Sequence, residues 1–460
     1  MKPVFPIILA ALAFARMPAA AEADSVARFS NDDLLTGSLE SLSSDSLVWK
    51  SPSLEKPAPF FLKNVLDLSL PGSLPEIAAD HEAILTLTNG DTVRGQLASV
   101  TDEIVSLDTW FAGRMNFNRL MVSSVRIEGK STFLYVGPTG MDGWVQSGDS
   151  PAWTYGRSAF RSGGTGGIAR DELLPDECAV SFETSWKSDS IALKVILFSD
   201  DPSSSTPGSG YELSFQRGSI YLRNGKTQSF LGSTHSQVLM EDDKVRIEIR
   251  ASRTSGKVCL FINGRIIEIW SDAEVGKSKF GSCLHFVALN SLPMRISRIG
   301  VASWDGQIEE LPEPRVGMIR RFGIQEQDDN SEPDLPEAPE DNRMKLSNGD
   351  SLEGEVLSIQ DGEITVKTPL GEIKLPVGRL RNVALKEVDL ERCILRNGDI
   401  RAWFPDGSSM VFRLDAVAGD TLTGSSQNFG SANFKMQAFS RIEFNIHDPK
   451  LEAKRAMSDW

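Results

Sequence analysis

One nine-residue phrase of this chain occurs twice in nearly the same letters, as LTNGDTVRG at 87–95 and LSNGDSLEG at 346–354. Asn-Gly between alternating apolar residues is the strongest short-range sign of a β-hairpin, because a type I′ turn needs positive φ at both central positions. Leu85 and Leu87 precede the first turn, and Met344 and Leu346 the second, with the period of a half-buried strand. The second glycine of each phrase, Gly95 or Gly354, falls in the return strand, where it marks a sharp bend or a bulge. Such a chain is built from small β units.

The likeness runs on past the phrase, through SVTDEIVSLDTWFAGRMNFNRLMVSSVRI in one place and SIQDGEITVKTPLGEIKLPVGRLRNVAL in the other. Both read as strand, acidic turn, strand, glycine turn (Gly113 or Gly371), strand and a final apolar strand. A further copy begins at FSNDDLLTG, where Asn31 and Gly37 keep the spacing and Asp32 stands in the glycine position. A fourth begins at LRNGDIRAW, with Trp403 in place of the second glycine. A unit of about 45 residues buries too little surface to be robust alone. Neighbouring copies are therefore expected to pack in pairs, the first (24–75) with the second (80–130) and the third (343–388) with the fourth (392–450). These units resemble the small curved barrels of the Sm-like and SH3-like type, and the short "NGD…G" β-repeats of exported bacterial proteins. Asn-Gly-Asp reads as turn chemistry, since a calcium loop needs several oxygen ligands at alternating positions.

Between the pairs, residues 138–307 spell a different text. CAVSFETSW, SIALKVILFS, GYELSFQ, SIYLR, KVRIEIRAS, VCLFI, RIIEIW, LHFVALN and MRISRIGVASW alternate as strands, joined by turns such as Arg217-Gly218 and Asn263-Gly264. Antiparallel strands without a helical period predict a two-sheet β-sandwich. KVRIEIRASRTSGKVCLFINGRIIEIWSD resembles the late strands of concanavalin/laminin-G-like jelly rolls. The opening, WVQSGDSPAWTYGRSAFRSGGTGGIARDELLPDECAVSFETSW, is similar to the start of the bacterial 3-keto-disaccharide hydrolase domain. The fold class is thus all-β: a concanavalin-like jelly roll flanked by pairs of small β-barrel repeats. The resemblance implies glycan binding or glycan processing, although fold alone assigns neither.

The chemistry of processing is not spelled out. The Glu-x-Asp-x-x-Glu strand of laminarinase-type jelly rolls, with two carboxylates flanking the scissile bond, does not occur. Glu241-Asp242-Asp243, Glu268 and Asp272 read as solvated rim charges. His81, His235, His285 and His447 adjoin no obvious nucleophile, and the glycines at 163–167 lack the Gly-Lys-Ser/Thr of a phosphate loop. Trp153, Tyr155, Trp186 and Trp270 are the candidates for stacking on a sugar ring. Asp200-Asp201 opens an acidic loop and is the candidate calcium site. Cys178, Cys259, Cys283 and Cys393 sit in apolar runs and read as buried free thiols, with one disulfide among the central three left open.

Lys2, the apolar run from Pro3 to Ala15 and the small residues to Ala23 have the layout of a secretory signal peptide over 1–23. The run is short of the ~20 residues a bilayer span takes. A net charge of −15, with no basic run longer than Arg320-Arg321, argues against nucleic acid. Within the acidic linker (325–342), eight of the sixteen residues from 326 to 341 are acidic, and Pro333, Pro336 and Pro339 recur every third position. That favours an extended spacer, at about 3.1 Å per residue, and makes the C-terminal pair the mobile part. These readings converge on an exported protein of the periplasm or cell surface that binds a glycan, an envelope component or another protein without turnover. Two rivals stay open: a sugar-processing enzyme on the jelly roll, and a scaffold that self-associates through strand edges.

Overall fold

A computed structural model describes residues 25–73, 81–129, 132–148, 151–307, 343–347, 350–360, 362–383, 385 and 388–456. The expected signal peptide, the acidic linker and Asn348-Gly349 lie outside the described residues.

All four copies follow one plan. The second runs His81–Leu87, Thr92–Val100, Ile104–Thr109, Gly113–Asn118, a 3₁₀ turn at Arg119–Met121, and Val122–Gly129. The first ends likewise, with a 3₁₀ turn at Leu62–Asn64 before Val65–Ser69, and the fourth with Met436–Ala438 before Arg441–Glu443. The opening turn is not the type I′ expected. Gly90 takes φ +84°, but Asn89 is not left-handed. Gly90 N donates to Leu87 O at 2.9 Å and Leu87 N to Asp91 O at 2.8 Å, a type I turn closed by a glycine bulge. One left-handed residue suffices, so Asp32, at φ +70°, can stand where the other copies have glycine. The fourth copy is offset from its phrase. Its turn is Phe404–Ser408, with Gly407 at φ +85°, and Asn397-Gly398-Asp399 only leads into the first strand, Asp399–Trp403. The second glycine does mark a bend: a Cβ on Gly95 would lie 2.8 Å from Asp108 O, and the register slips between Leu97 and Ser99.

The copies do not pair in chain order. Val65–Ser69 of the first lies antiparallel to Arg441–Glu443 of the fourth, with Leu68 opposite Ile442. Val122–Gly129 of the second pairs with Asn382–Val383 of the third, with Val125 opposite Val383. Pairing is thus nested, outer with outer and inner with inner. The second and fourth copies join the two pairs, where Ser409 stands opposite Thr92 and the Phe111 and Phe404 rings lie 4.5 Å apart. The C-terminal copies are therefore built into the N-terminal ones, contrary to the mobility expected of them. The helix Pro449–Ala456 fastens the seam: Arg455, 4% exposed, donates to the carbonyls of Phe444 and Leu66, and Arg28 donates to Arg455 O.

The sandwich is inserted within this nest. One sheet runs Trp153–Gly156, Ala159–Ser162, Met294–Ser303, Glu177–Trp186, Lys244–Ser252, Lys257–Ile262 and Arg265–Ser271, with Phe133–Gly137 added on Met294–Ser303. The facing sheet runs Val145–Ser147, Gly166–Arg170, Cys283–Ala288, Ala192–Ser199, Tyr211–Gln216, Ser219–Asn224 and Phe230–His235. Inward residues such as Phe160, Phe182, Leu213 and Phe286 fill the space between, with Phe182 and Phe286 at 5.0 Å. The eight-stranded sheet docks on the repeats through charge. Arg381 pairs with Asp305 at 2.6 Å, Arg441 with Glu183 at 3.5 Å and Arg250 with Glu128 at 3.8 Å. Arg94 of the second copy reaches Glu128 at 3.2 Å, Asp406 at 3.5 Å and Glu82 at 3.6 Å.

Candidate functional site

With one sheet turned to the repeats, the outer face of the seven-stranded sheet is the face the sandwich presents. Strand alternation sorts its residues. In Ser219–Asn224, Ile220 and Leu222 point into the core, so Tyr221 and Arg223 point out. Register then builds two rows. Lys194, Ser214, Tyr221 and Ser233 stand side by side across four strands, and beside them stand Ile196, Glu212, Arg223 and Phe230.

The rows divide into a covered half and an open half. Ile196 and His285 are fully buried, and the loop 200–210 lies over this side, where a Cβ on Gly167 would come within 3.5 Å of Ser205 Cβ. Toward the edge strand the sheet is open: Tyr221 is 39% exposed and Phe230 57%, and Arg223 is exposed with them. Lys194 holds Glu212 at 3.1 Å, and Arg223 makes no ion pair among the described residues. Phe230 stands directly opposite Arg223 and Tyr221 two residues along the same strand, so the three side chains are neighbours on this face. The result is an exposed strip of two aromatic rings and a planar cation, beside the Lys194–Glu212 pair.

The four expected stacking residues lie elsewhere. Trp153, Trp186 and Trp270 are 1%, 3% and 5% exposed, because each falls on the inward phase of its strand. Trp153 Nε1 donates to Gly166 O at 3.0 Å. Tyr155 packs edge-on to Phe160 at 6.3 Å. Nor do Asp200 and Asp201 assemble a calcium set. Asp200 pairs with Lys279 and accepts the Ser209 hydroxyl, which hold its carboxyl below the usual range, and Asp201 accepts Ser203 N at 2.9 Å and Ser203 Oγ at 2.6 Å. Calcium takes six to eight oxygens, and no cluster of three or more His, Cys, Asp or Glu suited to a metal occurs among the described residues.

Other titratable groups serve the fold. Asp272 is 4% exposed and collects Asn224 at 2.8 Å and the Tyr211 and Ser278 hydroxyls at 3.2 Å each. All four cysteines are free, and burial and Asp171 push Cys283 up to about 12. One contact was not legible in sequence: His285 Nε2 meets Ser199 Oγ. Burial lowers the His285 pKa to about 4, so the imidazole is neutral and could accept a proton from the hydroxyl. Both residues are sealed beneath the loop, however, which closes the pair to substrate.

No protein-family model matches the chain, and no curated protein matches it. Among solved structures it is similar to a Bacillus subtilis protein of unknown function with a galectin-like fold, at 16% identity over 38% of this chain and 98% of that one, with a TM-score of 0.31. It is also similar to the carbohydrate-binding module CBM66 of Bacillus subtilis, at 14% identity over 35% and 96%, TM-score 0.27. The potassium-bound Emp46p carbohydrate recognition domain matches at 12% identity over 38% and 98%, TM-score 0.29. At these identities and scores the likenesses assign nothing to this chain.

Proposed function

We propose that this is an exported protein that binds glycan, without turnover, on the open half of the seven-stranded sheet. The observation that carries the reading is the strip Tyr221–Arg223–Phe230, two exposed rings beside an exposed guanidinium on an open sheet face. A pyranose presents a C–H face that lies on an aromatic ring, and hydroxyls at its rim that accept from a planar fork of N–H donors. The strip is open instead of an enclosed pocket of several hundred Å³, which suits a stretch of polymer better than a small molecule. Export is supported by Lys2 and the apolar run that follows it.

An array of envelope and plant polysaccharide fragments identifies the ligand, and titration calorimetry on the strongest binder tests the site. Tyr221→Ala and Arg223→Ala are each expected to weaken binding about tenfold or more, the size of one central contact. Wild-type affinity in both variants would move the site away from this face.

A further inference from the structure

The chain carries a net charge of −15, with 63 acidic residues among 460. Residues 213–240 nevertheless contain no aspartate or glutamate, and they carry Arg217, Arg223 and Lys226. This stretch supplies the last two strands of the open face, Ser219–Asn224 and Phe230–His235, and the turns at both ends of the first. We infer that the glycan taken by this face is acidic, a polysaccharide bearing carboxylate or sulfate groups along its length. The inference rests on the glycan reading of the face and adds the charge of its ligand.

Ion pairing sets these cations apart. On the repeats and the sheet docked to them, Arg94 reaches Glu128, Arg381 reaches Asp305 and Arg401 reaches Glu443. Arg217, Arg223 and Lys226 are exposed and make no ion pair among the described residues. One carboxylate stands in register, Glu212 directly opposite Arg223. Lys194 holds it at 3.1 Å, and both members of that pair are half-buried. The pair is neutral as a whole, which leaves the exposed charge of these strands positive. At the neighbouring loop Asp200 is likewise taken by Lys279.

An exposed cation alone calls for no ligand; its company does. Phe230 stands directly opposite Arg223, and Tyr221 lies two residues along the strand, about 7 Å away. Ser214 and Ser233 flank Tyr221 on the neighbouring strands. A sugar ring laid on either aromatic ring brings its substituents to the guanidinium. A carboxylate or sulfate there offers paired oxygens to a planar fork of N–H donors, and a hydroxyl does not. Arg217 and Lys226 extend the positive field along the strand, so a polymer with repeated charges gains more than one acidic sugar. The face is open to water, which limits one such contact to about a fivefold gain and makes it sensitive to salt.

Titration calorimetry of the intact protein tests this with two matched pairs, oligogalacturonate against its methyl ester and dextran sulfate against dextran. Each pair keeps its sugar backbone and changes its charge. The charged member is expected to bind about fivefold tighter or more at low salt, with the advantage lost in roughly 0.5 M sodium chloride. A gain in the galacturonate pair alone identifies carboxylate as the group recognised, and a gain in both pairs identifies anionic charge of either kind. Arg223→Gln should remove most of the advantage, and Arg223→Lys should keep only part of it, because lysine offers a point charge in place of a fork. Glu212→Gln is the opposite arm: it removes the carboxylate in register and releases Lys194, so it should widen the advantage. Equal affinity within both pairs, no binding of either charged polymer, or an advantage untouched by Arg223→Gln would overturn the proposal. If the neutral members bind and Tyr221→Ala weakens them, the glycan face stands and only its acidic selectivity falls. Oligothymidylate binding more tightly than both charged polymers would assign the face to nucleic acid and overturn it as well.

Discussion

Asp91 shows how a turn residue becomes a joint. Its Oδ2 takes Asn89 Nδ2 at 2.7 Å within the turn and Val411 N at 2.6 Å from the fourth copy. Asp33, at the same place in the first copy, makes only the local bond to Asn31 and is exposed. Burial raises the Asp91 pKa to about 6, and it raises that of Glu82, at the seam with Arg94, to about 7 from 4.5. The folded chain thus keeps a proton on Glu82 that the unfolded chain releases. This contribution to stability is complete below pH 4.5 and is lost as the pH rises through 7. His285 acts in the opposite sense, its contribution being lost as the pH falls from 6.5 toward 4. The readout is therefore the difference between variant and wild type. Glu82→Gln is expected to raise the Tm at pH 8 and leave it unchanged at pH 4.5. A difference independent of pH would show that Glu82 does not titrate between those values.

At the scale of elements, what was legible in sequence was local. Alternation gave nine strands of the sandwich, and the Asn-Gly pair gave the position of the hairpin, because both depend on a few adjacent residues. Turn type was misjudged, since Asn-Gly suits both a type I′ turn and a type I turn with a glycine bulge. The fourth turn was missed because Pro405-Asp406-Gly407-Ser408 meets the same backbone demand in other letters. The short strands at 133–137, 145–147 and 159–162 escaped because three to five residues carry too little periodicity. Gly90 tests the turn itself. It has φ +84° and open space beyond it, so substitution there probes backbone strain without a clash. Gly90→Val should cost about 1–3 kcal/mol in denaturant unfolding, whereas Gly90→Asn should cost less than 1 kcal/mol, roughly, as Asp32 in the first copy implies. Equal losses would mean that Gly90 is needed for something other than its left-handed backbone.

For the whole molecule, nesting was illegible because an open strand edge carries no mark of its partner. Each terminal strand could have met any other copy, and shared cores such as Phe111 with Phe404 and Phe434 settle which does. The binding face was hidden for a related reason. Tryptophan attracts attention in a sequence, but here the inward phase of the strands puts it in the core, and the outward Tyr221 is set apart only by its offset from Ile220 and Leu222. Nesting also gives the sandwich its orientation, one sheet bound to the repeats by Asp305, Glu183 and Arg250 and the other left open. Hydrogen exchange of the intact protein, with and without the strongest-binding oligosaccharide, measures that division directly. Amide protection on binding should concentrate in Tyr211–Gln216, Ser219–Asn224 and Phe230–His235. Protection confined to the repeats or to the eight-stranded sheet would contradict the account.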